Sequence, residues 1–166
     1  MASPDLDPAP ILSALIEQGV DFVVIGGLAA VAHGSILPTY DVDITPERTP
    51  DNLARLSAAL RLLGARIRTD AVEGGLPFDH DAESLAAAGV WNLTTEHGDL
   101  DISFVPNGTD GYPDLVRDAE REPLFGIIVP IASLADIIRS KQAANRPKDQ
   151  RALPVLREIL ANRDLE

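Results

Sequence analysis

Hydrophobic and polar positions alternate with two different periods along this chain, and the changes of period mark its elements. PAPILSALIEQGV carries apolar residues at helical spacing with a Gly near its end, which predicts a helix over 8–18. Phe22 to Ile25 is wholly apolar and short, as a buried strand is. Gly26-Gly27 then makes a turn into an Ala-rich helical segment, 28–33, that stops at Gly34. Asp41 to Thr45 alternates and predicts a second strand. Thr49 followed by Pro50 opens a helix that runs to Leu63 and ends at Gly64.

The middle of the chain predicts a short strand over 65–68, a loop over 69–81 rich in Gly and Pro, and a helix over 81–88. Strands over 90–95 and 100–105 are joined by a tight turn around Glu96-His97-Gly98-Asp99. A short helix over 112–119 and a last strand over 124–129 follow. Ser133 caps a helix that carries Lys141, and Pro147 interrupts before a final helix to about Ala161. The fold class is therefore α/β (α+β): a mixed sheet flanked by helices with a helical C-terminal part at about 132–166, all in one domain spanning 1–166.

Composition narrows the class. Apolar residues make up 45% of 166 positions, yet no apolar run approaches the roughly 18 residues of a membrane span. The opening MASPDLDPAP is acidic and Pro-rich, unlike a signal peptide, and there is no cysteine, so a cytoplasmic protein is expected. Net charge is −12, which argues against a general nucleic-acid coat. Seven of the 14 Lys and Arg nevertheless fall at or after Arg139, beside only four acids. A basic tail on an acidic body suits a local grip on phosphate, although a solvated helix face would give the same pattern.

The stretch VVIGGLAAVAHGSILPTYDVDIT holds the candidate chemistry. Alternation places Asp41 and Asp43 on one face of a strand, roughly 6.5–7 Å apart at Cα, where two carboxylates repel each other unless a cation lies between them. Asp101 belongs to a later strand, with Asp99 two residues earlier on the same face. Gly26 and Gly27 leave a backbone that a ligand can approach closely, next to helix N–H groups suited to phosphate. Three carboxylates beside such a cradle describe a divalent-cation site for phosphoryl or nucleotidyl transfer, and an all-oxygen set favours Mg²⁺ or Mn²⁺. A dinucleotide-binding turn is a poorer match, because GGLAAVAHG is not G-x-G-x-x-G.

GGLAAVAHG, Thr-x-Asp-x-Asp, a later strand Asp and SKQAANRPKD, taken in that order, resemble the DNA polymerase β type of nucleotidyltransferase, and within it the AbiEii/MenT group of nucleotidyltransferase toxins. The resemblance runs from about residue 20 to 155. It implies that Asp41 and Asp43 bind metal and NTP, that Lys141 contacts phosphates, and that Lys148 and Asp149 close the motif. Asp101, Asp99 and Asp149 all remain candidates for the third carboxylate, and the number of metals stays open. Leu37 stands where many relatives carry Arg, so Arg146 or Lys148 is expected to supply that phosphate contact. His33 and His97 are read as structural or incidental.

The resemblance further implies a toxin of a toxin–antitoxin system that adds nucleotides from NTP to the 3′ end of tRNA, opposed by a kinase-like antitoxin. Thr39, two residues before Asp41, is the expected site of silencing phosphorylation, its hydroxyl pointing into the triphosphate site. The rival expectations are a minimal nucleotidyltransferase that transfers AMP to a partner protein, as some antitoxins do, and a non-catalytic nucleotide-binding module.

Overall fold

A computed structural model describes residues 5–165; the first four residues of the acidic N-terminal stretch, and Glu166, lie outside the described residues. The elements follow in the order α1 (Pro8–Glu17), β1 (Phe22–Ile25), α2 (Gly26–Ala32), β2 (Asp41–Pro46), α3 (Pro50–Leu62), β3 (Arg66–Ile67) and α4 (Ala82–Ala86). After them come β4 (Val90–Thr95), β5 (Gly98–Ser103), α5 (Tyr112–Leu115), β6 (Glu120–Leu124), β7 (Ile127–Ile131), α6 (Leu134–Ala144) and α7 (Pro147–Asp164). The seven strands form one mixed sheet in the order β3-β4-β5-β2-β1-β7-β6. Strand β2 runs antiparallel to β1 and parallel to β5.

Local chemistry explains the helix starts. The Thr49 hydroxyl accepts from the backbone N–H of Asn52, and Pro50 occupies the first turn, where its missing N–H costs nothing. Ser133 caps α6 in the same way through Asp136. The apolar stripe predicted for α1 is real: Ile11, Leu12 and Leu15 are fully buried. So are Leu56 and Leu60 of α3. Helix α1 packs against α3, β2 and β7, whereas α2 packs against β1, β2 and α6. No helix among the described residues is long and apolar enough to cross a membrane.

The largest difference from the expected elements lies near the end of the sheet. Instead of one strand over 124–129, the chain forms a hairpin, β6 paired antiparallel to β7, with Leu124 opposite Ile127. Phe125 and Gly126 make its turn at φ 51° and 82°, both in the left-handed region that a two-residue hairpin turn demands. Strand β6 reads EREPL and shows neither alternation nor apolar character, because as an edge strand it is solvated and tolerates Pro123. Helix α5 is also shorter than expected, ending at Leu115.

Candidate active site

Strands β2 and β5 build the site. In β2, Val42 and Ile44 are fully buried while Asp41 and Asp43 take the other face; in β5, Leu100 and Ile102 are buried while Asp99 and Asp101 do the same. The parallel register sets Asp41 beside Asp99 and Asp43 beside Asp101, so four carboxylates share one face of two adjacent strands. Asp41, Asp43 and Asp101 each bring one carboxylate oxygen within 4.8 Å of the others. Asp99 lies outside this group, with one oxygen buried and unpartnered.

The electrostatics follow from that crowding. Burial pushes the Asp43 carboxyl up to about 8, the charges of Asp41 and Asp101 add to the rise, and Lys148 opposes it. Asp101 is raised to about 6 by burial and by contact with Asp41, against the pull of the Arg68 guanidinium. Three such oxygens cannot all ionise cheaply without a cation between them. The donor set consists only of oxygen and spans the size of one hard ion, so the residues fit Mg²⁺ or Mn²⁺.

Gly26 and Gly27 are explained differently from the sequence expectation. The space above Gly26 is filled by the chain's own Asp43: a Cβ there would overlap the Asp43 carboxylate, and φ is +67°. A Cβ on Gly27 would stand 2.9 Å from the Thr39 hydroxyl oxygen. The glycine pair thus lets the helix start sit directly on Asp43 and Thr39. Gly26 lines the cleft.

The expected orientation of Thr39 is corrected as well. Strand β2 begins only at Asp41, and the Thr39 hydroxyl turns back to donate to the Asp41 carbonyl oxygen at 3.2 Å. Leu37 is about one-third exposed, and its N–H is held by the Ser35 hydroxyl.

Facing the carboxylates across an open cleft of about 350 Å³ are Ser140 and Lys141 of α6 and, at the start of α7, Arg146 and Lys148. Asp149 does not join the carboxylate cluster. It is fully buried behind the basic wall, where its carboxylate receives the Arg146 Nε–H at 2.7 Å and backbone N–H at 3.1 Å, and lies 3.7 Å from Lys141 Nζ. Burial opposes its ionisation, but the Arg146 hydrogen bonds and the Lys141 charge outweigh burial and hold its carboxyl below the usual range.

Several residues of the site give no sequence signal. Arg68, just beyond β3, donates to Asp101 Oδ1 at 2.7 Å and lies 3.4 Å from Asp99; nothing in ARIRTD ties it to a strand 33 positions later. Asn92, Asn107 and Asp136 also line the cleft. His33 is structural, as read: buried, it meets the Ala132 carbonyl through Nε2 at 2.8 Å and accepts from Arg163 at Nδ1 at 2.9 Å. His97 pairs with Glu96 at the hairpin turn.

With this geometry in hand, comparison with solved structures decides the architecture. The lincosamide antibiotic adenylyltransferase LnuA, bound to lincomycin, superposes with a TM-score of 0.63 at 16% identity, covering 93% of this chain and 99% of that one. The chain has the nucleotidyltransferase fold. ANT(2″)-Ia in complex with adenylyl-2″-tobramycin gives 0.58 at 17% identity over 92% of this chain and 86% of that one. A Thermotoga maritima protein described as a candidate nucleotidyltransferase gives 0.52 at 17% identity over 96% and 97%. No family model matches the sequence. No curated protein matches it either. The likeness supports the broad polymerase β type of fold and does not single out the AbiEii/MenT toxins within it.

Proposed function

We propose that this protein transfers a nucleotidyl group from an NTP to a hydroxyl of an acceptor. One observation carries the reading: three carboxylate oxygens within 4.8 Å of one another face Lys141, Arg146 and Lys148 across a single cleft. In the reaction the acceptor oxygen bonds to the α-phosphorus, the bond from that phosphorus to the bridging oxygen breaks, and pyrophosphate leaves. A divalent ion, when bound to Asp41, Asp43 and Asp101, supplies charge neutralisation at the phosphates.

The chain's own residues do the rest. Asp101, the third carboxylate of the cluster, is placed to take the proton of the attacking hydroxyl. Lys141, Arg146 and Lys148 offset the charge that accumulates on the pyrophosphate. Asp149 holds Lys141 and Arg146 in place and does not touch the reacting atoms, a narrower role than the motif implies.

For the acceptor, the sequence resemblance supports the 3′ end of tRNA, and with it a translation-blocking toxin silenced by a kinase-like antitoxin. A second reading, a small antibiotic-like acceptor, is favoured by the two antibiotic adenylyltransferases that share the fold across nearly the whole chain. The acidic net charge of −12 also suits a cationic small molecule better than a polyanion. Incubation with Mg²⁺ and each labelled NTP in turn, with total tRNA in one arm and an aminoglycoside and lincosamide panel in the other, separates them. Label on the tRNA 3′ end supports the toxin reading; label on a small molecule alone replaces it. No transfer in either arm, with label on a partner protein or none at all, overturns both.

A further inference from the structure

Arg68 is anchored in a way that an ordinary surface arginine is not. Its backbone N–H is bound to the Asn92 carbonyl at 3.0 Å, and Nη1 donates to the Leu93 carbonyl at 3.1 Å. Nη2 donates to Asp101 Oδ1 at 2.7 Å, while Nη1 lies 3.4 Å from Asp99 Oδ2. The side chain is only 30% exposed. The main chain of Arg68 is therefore tied to β4 at Asn92, and its guanidinium is held by the Leu93 carbonyl and aimed at the two acids of β5. A planar fork held this way fixes the torsion of the carboxylate it grips.

We propose that Arg68 is a positioning residue and a built-in counter-cation for the third carboxylate, an inference that rests on the nucleotidyl-transfer reading. Its grip on Asp101 sets how that carboxylate meets Asp41 and Asp43. Its fixed positive charge meanwhile lowers the cluster's attraction for a divalent ion. These two effects oppose each other in a measurable way. A residue that merely supported the fold would, once removed, weaken metal binding and turnover together, as loss of an outer-shell partner usually does. Loss of Arg68 removes a repelling charge close to the cation site, so metal binding should tighten while turnover falls.

The test measures Mn²⁺ binding to the metal-free full chain by electron paramagnetic resonance, beside kcat and KM for NTP, in wild type, Arg68→Ala and Arg68→Lys. In Arg68→Ala the Kd for Mn²⁺ should drop about tenfold. Its kcat should drop about 10–100-fold with KM for NTP nearly unchanged. Arg68→Lys keeps the charge and loses the fork, so its Mn²⁺ affinity should stay near wild type while kcat still falls. Arg68→Gln, which also loses the charge, carries the same Mn²⁺ expectation and the same overturning results if the alanine variant fails to fold. Unchanged or weaker Mn²⁺ binding in Arg68→Ala, or Mn²⁺ binding in Arg68→Lys as tight as in the alanine variant, overturns the proposal. A wild-type chain that binds no Mn²⁺ defeats the nucleotidyl-transfer reading itself, a different result from either of these.

Discussion

On the strand wall of the cleft, Asp41, Asp43 and Asp101 crowd within 4.8 Å of one another; on the helical wall, Lys141 and Arg146 already meet the buried Asp149 at 3.7 and 2.7 Å. The first wall is a cluster of like charge that Arg68 offsets only from the Asp101 side, with Asp43 and Asp101 raised in pKa and a cation still needed. The second is partly neutralised, two cations to one carboxylate, and Asp149 holds those cations before any ligand arrives. Under the proposed nucleotidyl transfer this asymmetry would serve a triphosphate, because positions on the basic wall would be fixed without binding phosphate too tightly to release it. On the same reading the acidic wall would gain its counter-charge with the substrate. If the comparison is right, substitutions on the two walls should fail in different ways.

The largest effect is expected at Asp41. Asp41→Ala should lower transfer by about 10³-fold, the several kcal/mol that charge stabilisation at such a site supplies. Its thermal midpoint should match or exceed that of the wild type without metal, since removing Asp41 relieves repulsion on Asp43 and leaves no core cavity. A calorimetric scan beside a labelled-NTP assay checks both. Full activity in this variant would end the metal assignment.

The strand wall should also make stability depend on pH. The folded pKa of Asp43 is about 8, above its value of 3.8 in the unfolded chain, so the folded protein holds a proton that the unfolded chain has lost. Stability from this group is then complete below about 3.8 and declines as pH rises toward 8, by up to about 1.4 kcal/mol per pH unit. Mg²⁺ should restore what is lost, and more of it at pH 8 than at pH 5. Asp43→Asn, neutral throughout, should flatten most of the slope in metal-free denaturant titrations.

The helical wall predicts the reverse phenotype. Asp149→Asn removes the charge that holds Lys141 and Arg146 and should destabilise the fold by about 2–4 kcal/mol, read from chemical denaturation. Turnover should suffer through a raised KM for NTP, with metal affinity unaffected. A variant that instead lost metal binding with normal stability would put Asp149 on the wrong wall.

How far these walls were legible in the sequence depends on whether neighbours in space are also neighbours in pattern. Asp41 and Asp43 announce themselves because two acids interrupt an apolar alternation, and β4 and the start of α3 follow from local rules alone. Asp101 was legible only as one of three candidates; the parallel register of β2 on β5, a long-range property, brings Asp99 and Asp101 alike beside the pair, and of the two it is Asp101 whose oxygen reaches the cluster. Arg68 was invisible because its acidic partner Asp101 lies 33 residues away on a strand two places across the sheet. The β6–β7 hairpin was missed because a solvated edge carries no hydrophobic signal. The glycine pair was noticed for a sound reason, close approach, but the approaching group is the protein's own carboxylate.

Thr39 gives the smallest and most specific effect, because it belongs to neither wall and fastens the start of the acidic one. Its hydroxyl donates to the carbonyl of Asp41 and lies against Gly27, where α2 begins. Thr39→Val removes that one hydrogen bond and should cost about 1 kcal/mol of stability, with only a few-fold loss of activity. Phosphorylation would be another matter. It would place about −1.5 to −2 charges beside a cluster already short of positive charge, repelling both the carboxylates and an incoming triphosphate. Thr39→Glu should therefore be inactive although its neighbours are untouched, while Thr39→Val should remain active and escape a kinase-like partner. Mass spectrometry of the chain co-expressed with such a partner decides the matter. If the protein is neutralised while Thr39 stays unmodified, the silencing acts elsewhere, and the hydroxyl is only the pin that holds β2 to the turn before it.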